Sequence, residues 1–158
     1  MARTSPKAKG RKERGSFAGI PKVVMRHPDY IALSPNAKNL LLEFAFQFNG
    51  YNNGNLNAAW SNLNKRGWKS KTTLSKALKE LLASNFIILT RTGYFQNPGK
   101  RCALYALTWR PINECPGKDL EVKSTEKAHR QFAPALQKKP CPESGPTRSK
   151  NCTDKAPG

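Results

Sequence analysis

Along residues 37–82 apolar side chains return with helical spacing three times, and along residues 86–109 they turn β-branched, aromatic and alternating. Ala37, Leu40, Leu41, Phe44 and Phe48 fall at i, i+3, i+4, i+7 and i+11, with Leu42, Ala45 and Phe46 widening the stripe, which predicts a mostly buried helix. Ser34 and Pro35 open it: a serine oxygen accepts from an orphan backbone N–H, and proline at the first helical position gives up a donor that has no partner there. Asn49-Gly50 closes it. Leu56, Ala59, Trp60 and Leu63 repeat the pattern as far as Gly67 and predict a second, short helix. Ser70 caps a third, with Leu74, Ala77, Leu78, Leu81 and Leu82 as its apolar face. Residues 86–91 (FIILTR) and 101–109 (RCALYALTW) read as strands flanking a turn-rich loop, and residues 20–25 (IPKVVM) as one more short strand on the same sheet.

At about 100° per residue, Thr72, Ser75, Lys76 and Lys79 lie together opposite the leucines of the third helix, while Glu80 falls to one side. Only Gly67, Trp68 and Lys69 separate the second helix from the third, a connection short enough for a helix-turn-helix. Three helices and then a hairpin is the order of a winged helix. The expected fold is therefore α+β, a winged helix-turn-helix of three helices and a β-hairpin wing.

Composition sharpens this reading. Among 158 residues stand 28 Lys and Arg against 10 Asp and Glu, a formal charge of +18, with 37% apolar residues, which leaves room for one core and argues against a large enzyme. The charge is +5 over residues 1–16, +10 over 17–110 and +3 over 111–158, so the middle is basic in its own right. Thirteen of the fourteen aromatics lie between Phe17 and Trp109, and seven of the twelve prolines follow position 110. The expected organisation is a disordered basic arm over 1–16, the folded domain over 17–110, an irregular extension over 111–133 with room for a short helix, and a disordered tail over 134–158. The four cysteines, at 102, 115, 141 and 152, form no C-x-x-C pair, the N-terminus has no apolar signal segment, and no apolar run approaches the roughly 20 residues of a membrane span. Reduced thiols, a cytoplasmic location, no membrane and a polyanionic partner are the expectation.

The blocks Gly19-Ile20-Pro21-Lys22-Val23-Val24, Leu33-Ser34-Pro35-Asn36-Ala37-Lys38, Tyr51-Asn52-Asn53-Gly54, Trp68-Lys69-Ser70-Lys71-Thr72-Thr73-Leu74 and Tyr105-Ala106-Leu107-Thr108-Trp109, in this order, resemble the winged helix-turn-helix proteins of bacterial prophages and other mobile elements, some described as replication-protein-like. The resemblance covers about residues 17–132. It implies a module for double-stranded DNA, in transcriptional control or replication, and says nothing of arm or tail.

Lys65, Arg66, Lys69, Lys71, Lys76 and Lys79 are six cations without an intervening acid over fifteen residues, at the end of the second helix and along the third. A helix fits the major groove, its N-terminal part reaches base edges and lysines neutralise flanking phosphates. Thr72, Ser75, Lys76 and Lys79 are then the groove candidates, and Lys69, Ser70, Lys71 and Thr73 the phosphate-holding ones at the helix start. Arg91, Lys100 and Arg101 bracket the wing, with Tyr94 and Phe95 near its tip. The alternative for the cluster is a solvated face, and for the wing a surface hairpin with its aromatics folded back on the sheet. Trp60 and Trp109 fit core positions; Trp68 suits either core or base stacking.

Between residues 17 and 110 the only acids are Asp29, Glu43 and Glu80 and the only histidine is His27, beside Pro28 as in a turn. No enzyme, cofactor or metal is expected from this set. Cys102 is expected to pack in a strand. A homodimer and a protein partner docked on the tail stay open. The rival readings are a protein-interaction adaptor that uses the fold as scaffold, and an RNA-associated basic protein.

Overall fold

Local capping and long-range backbone pairing divide the work of building this fold. The computed structural model describes residues 16–94 and 101–132; the basic arm but for Ser16, the loop containing Phe95 and Lys100, and the tail from 134 onward lie outside the described residues. The described chain is mixed α and β, with α1 (Lys22–Met25), α2 (Pro28–Ala32), α3 (Pro35–Gln47), α4 (Trp60–Lys65), α5 (Lys71–Ala83), β1 (Ile87–Arg91) and β2 (Leu104–Leu107).

The two long helices start as expected. The Ala37 N–H donates to Ser34 Oγ at 3.2 Å with Pro35 in the first turn, and the Thr73 N–H donates to Ser70 Oγ at 3.3 Å. Both helices turn their stripes to one another: Leu40, Leu41 and Phe44 of α3 and Leu74, Ala77 and Leu81 of α5 are buried, with Leu63, Phe86, Ile87 and Leu107 completing the cluster. Each large side chain so buried contributes about 1.5–3 kcal/mol of transfer free energy. The α3 stripe is narrower than expected, because Leu42 and Phe46 point outward with 48% and 58% of their surface exposed. Glu80 ties the pair together: the Ser34 N–H and hydroxyl each donate to its carboxylate at 2.6 Å.

Three expected elements differ. Residues 20–25 form no strand; the Val24 and Met25 N–H groups donate to the Pro21 carbonyl at 3.0 and 3.2 Å, and the resulting turn of helix sends Val24 wholly into the core, overriding its β preference. The second helix begins at Trp60 and not at Leu56, since Leu56 and Tyr105 exchange both backbone hydrogen bonds, at 3.2 and 2.7 Å, and Leu56 enters the sheet side of the core. Residues 66–70 then join α4 to α5, a turn through Gly67 at φ +99. The second strand covers Leu104–Leu107 alone, so Cys102 lies outside it, exposed.

β1 and β2 pair antiparallel, with Ile87 opposite Leu107 and a register irregularity between Leu89 and Arg91. The expected alternation is absent from β2, where all four residues are buried, because residues 111–132 wrap the sheet without helix or strand of their own. The Glu121 N–H donates to Thr90, Arg130 to Thr108 and Asn113 to Asn53, all to carbonyls at 2.8 Å. Gly54 sits at φ +125, where an L side chain is strained, and a Cβ there would crowd the Leu120 side chain at 3.0 Å.

One residue organises this crossing. Asn53 is wholly buried; its side-chain amide donates to the carbonyls of Leu107 (3.0 Å), Arg110 (3.2 Å) and Pro111 (2.9 Å), while its oxygen accepts the Leu107 N–H at 2.7 Å.

Two carboxylates fasten the extension. The Arg130 guanidinium beside Asp29 holds its carboxyl below the usual range, with His27 adding to the effect, and the Thr92 N–H and hydroxyl do the same for Glu121. Lowered folded pKa values mean that both carboxylates stabilise the fold above their unfolded pKa and lose that contribution as pH falls through the folded one. Below about pH 4 the extension is expected to loosen before the helices melt. The Phe132 ring, stacked 5.6 Å from Phe86, reports it by NMR; loss of this contact only together with helical signal would contradict the assignment.

Candidate nucleic-acid interface

The outer side of α5 follows from its inner side. With Leu74, Ala77 and Leu81 buried, Thr72, Ser75, Lys76 and Lys79 are all exposed. Lys65, Lys69 and Lys71 are exposed on α4 and on the approach to α5. Lys65, Lys69, Lys76 and Lys79 make no ion pair among the described residues. The three acids of the 17–110 segment are all engaged away from this face: Asp29 with Arg130, Glu43 with Arg66 and Glu80 with Ser34. Glu80 keeps its charge but is held by Ser34 at the helix–helix contact and makes no ion pair with the ridge lysines among the described residues.

Arg66 departs from the group. Its Nε donates to Glu43 of α3 and its guanidinium lies 4.0 Å from the centre of the Phe46 ring, so the cation is neutralised and packed. The absence of acids within residues 65–79 concealed this pair, whose partner stands 23 positions earlier. Ser70 and Thr73 are also partly spent, since the Ser70 hydroxyl oxygen accepts the Thr73 N–H to cap α5. Both hairpin arginines within the described residues hold carbonyls: Arg91 donates to Cys102 at 2.9 Å and Lys118 at 2.7 Å, and Arg101 to Asp119 at 2.7 Å. They stiffen the hairpin base against the extension, and Gly93 permits the close crossing, because a Cβ there would meet the Ala103 nitrogen at 2.7 Å. Lys100 lies outside the described residues.

The tryptophans divide as well. Trp68 is 6% exposed and belongs to the core beneath the α4–α5 turn. Trp109 is half-buried against the core. Trp60 also touches the core, yet one side of it faces a groove of about 640 Å³ that runs between α4, α5 and the hairpin base. Tyr94, 52% exposed, also lines the groove, Lys71 Nζ lies 5.8 Å from the Trp60 ring centre, and Arg101 and Ser75 are among the other lining residues. Trp60 and Tyr94 are 34 positions apart, so the groove has no sequence signature beyond an aromatic at the first turn of a short helix.

His27 serves α2 as its cap, its Nδ1 accepting the Asp29 N–H at 3.2 Å. Burial pushes the Cys115 thiol up, with Lys118 opposing, which suits a packing thiol rather than a nucleophile. Among the described residues no group of three or more His, Cys, Asp or Glu is placed to hold a metal ion, and no helix is long and apolar enough to cross a membrane. Comparison with protein-family models, with curated proteins and with solved structures finds no match for this chain.

Proposed function

We propose that this chain is a winged-helix protein that binds double-stranded DNA with sequence preference, inserting α5 in the major groove, and that it serves transcriptional control or replication of a bacterial mobile element. The observation that carries the reading is the outer face of α5, where Thr72, Ser75, Lys76 and Lys79 are exposed together while each nearby acid is engaged elsewhere. The element order supports it: α3, α4 and α5 precede an antiparallel hairpin, and Leu56 adds a bridge to its second strand. Short hydroxyl side chains between lysines are suited to base edges, and the lysines to the phosphates on either side. The mobile-element role comes from the resemblance of the Trp68–Leu74 and Tyr105–Trp109 blocks together with their neighbours. The chain acts by binding rather than by catalysis.

Salt titration tests the electrostatic half of this reading. Lys65, Lys69, Lys71, Lys76 and Lys79, with part of the N-terminal basic arm, would neutralise about five to eight phosphates, which sets the slope of log K against log salt at about −4.5 to −7 for duplex DNA. Anisotropy on the full chain should return a slope in that range, with duplex DNA outcompeting structured RNA at matched salt. A slope near zero, or preference for RNA, removes the reading.

A further inference from the structure

We propose that the groove between α4, α5 and the hairpin base accepts one unpaired nucleobase with its phosphate, so that the protein engages a single-stranded segment beside its duplex-binding face. The inference rests on the DNA-binding reading only for the source of the nucleotide.

The groove combines what such a ligand needs. At about 640 Å³ it falls within the range of small-ligand sites, roughly 300–1,000 Å³. The half-buried Trp60 and the half-exposed Tyr94 both line the groove, together with the apolar Leu78 and Ala103. Aromatic faces of this kind stack any base, because every base has a π-face. Lys71 and Arg101 stand at the rim, and no carboxylate is among the described lining residues, although the Asp119 carboxylate lies 3.7 Å from Arg101. Arg101 is already oriented by its bond to the Asp119 carbonyl, and a phosphate would share its guanidinium with the exposed Asp119 carboxylate. Lys71, without an ion pair among the described residues, thus favours an anion where an apolar lining alone would suit a peptide. The groove is also continuous with the proposed duplex face, since Lys71 and Ser75 belong to both.

The test uses the full chain with three fluorescent probes: a blunt duplex, the same duplex carrying an overhang of a few thymidines, and oligothymidylate. The overhang duplex should bind about tenfold tighter than the blunt one, the scale of one base stacked on aromatic rings. Tyr94→Ala and Trp60→Leu should each abolish that preference and leave blunt-duplex affinity unchanged. Where Trp60→Leu lowers folding, Tyr94→Ala decides, because that ring is half exposed. Oligothymidylate should also slow maleimide labelling of Cys102, an exposed thiol on the groove wall, as read by peptide mass mapping, and leave Cys115 unaffected. Equal affinity for blunt and overhang duplexes, or a preference that survives both substitutions, overturns the proposal. Protection of Cys102 by an apolar peptide and not by oligothymidylate overturns it too and gives the groove to a protein partner. An overhang preference without measurable blunt-duplex binding upholds the groove and removes the duplex reading instead.

Discussion

Replacing Asn53 by leucine is expected to lower the unfolding midpoint by about 15 °C, although the residue lies in a loop and touches no proposed ligand. The side chain is wholly buried; its two amide N–H groups are shared among the carbonyls of Leu107, Arg110 and Pro111, and its oxygen accepts from the Leu107 N–H. Leucine has similar size and none of these groups, so it leaves the buried Leu107 N–H without its acceptor and the Leu107 carbonyl with only a long bond from the Arg110 N–H at 3.4 Å, while the partly buried Arg110 and Pro111 carbonyls lose the amide. An unsatisfied buried group costs about 1–3 kcal/mol, and partial relaxation of the loop brings the total to about 4 kcal/mol. That is a large share of the roughly 5–15 kcal/mol by which a domain is stable.

Asn53→Asp separates polarity from shape. The carboxylate keeps an acceptor for the Leu107 N–H but turns negative oxygen toward three carbonyls. Its folded pKa must therefore rise. The variant retains stability below the unfolded aspartate pKa of about 3.9 and loses it as pH rises toward the folded value, the reverse of the behaviour expected for Asp29 and Glu121. Thermal denaturation followed by circular dichroism at acid and neutral pH checks both substitutions. Asn39→Leu, at an exposed position of α3, should shift the midpoint little. If Asn53→Leu proves equally mild, the hydrogen-bond hub contributes nothing to stability.

Asn53 also shows where sequence reasoning stopped. In the run Tyr51-Asn52-Asn53-Gly54 three turn-forming residues stand together, and nothing local marks the second asparagine as the one whose partners stand more than fifty positions away. The long helices were legible because their determinants are local: Ser34 and Ser70 cap N–H groups three residues on, and the inward leucines recur every three or four positions. Leu56 misleads for a related reason. Its spacing to Ala59, Trp60 and Leu63 satisfies the helical pattern, but two backbone bonds to Tyr105 hold it extended. Periodicity reports which side is buried and cannot report what buries it. The same limit applies to the candidate interface, where exposure of Lys76 and Lys79 followed from the α5 stripe but the capture of Arg66 by Glu43 did not.

The joint substitution Lys76→Glu and Lys79→Glu is expected to weaken duplex binding at least about a hundredfold at moderate salt and to flatten the salt slope by about two, one phosphate contact for each residue. Both side chains are exposed and unpaired among the described residues, and both stand opposite the leucines that α5 buries, so helical content should be preserved. The one local penalty is a like-charge pair between residue 76 and Glu80 one turn on, on the order of 0.2–0.5 kcal/mol, far below what unfolding requires. A matched control carries Lys123→Glu and Lys127→Glu, which change the net charge identically but lie on the extension. If binding depended only on total charge, both pairs would lose equally, because screening at physiological salt limits reach to about 8 Å for any exposed charge and would blunt both alike. Contact through α5 predicts instead a large loss for the first pair, a small one for the second, and a changed slope for the first alone. Equal losses in mobility-shift titrations across several salt concentrations would remove α5 as the reading helix and leave the excess positive charge as the whole source of affinity.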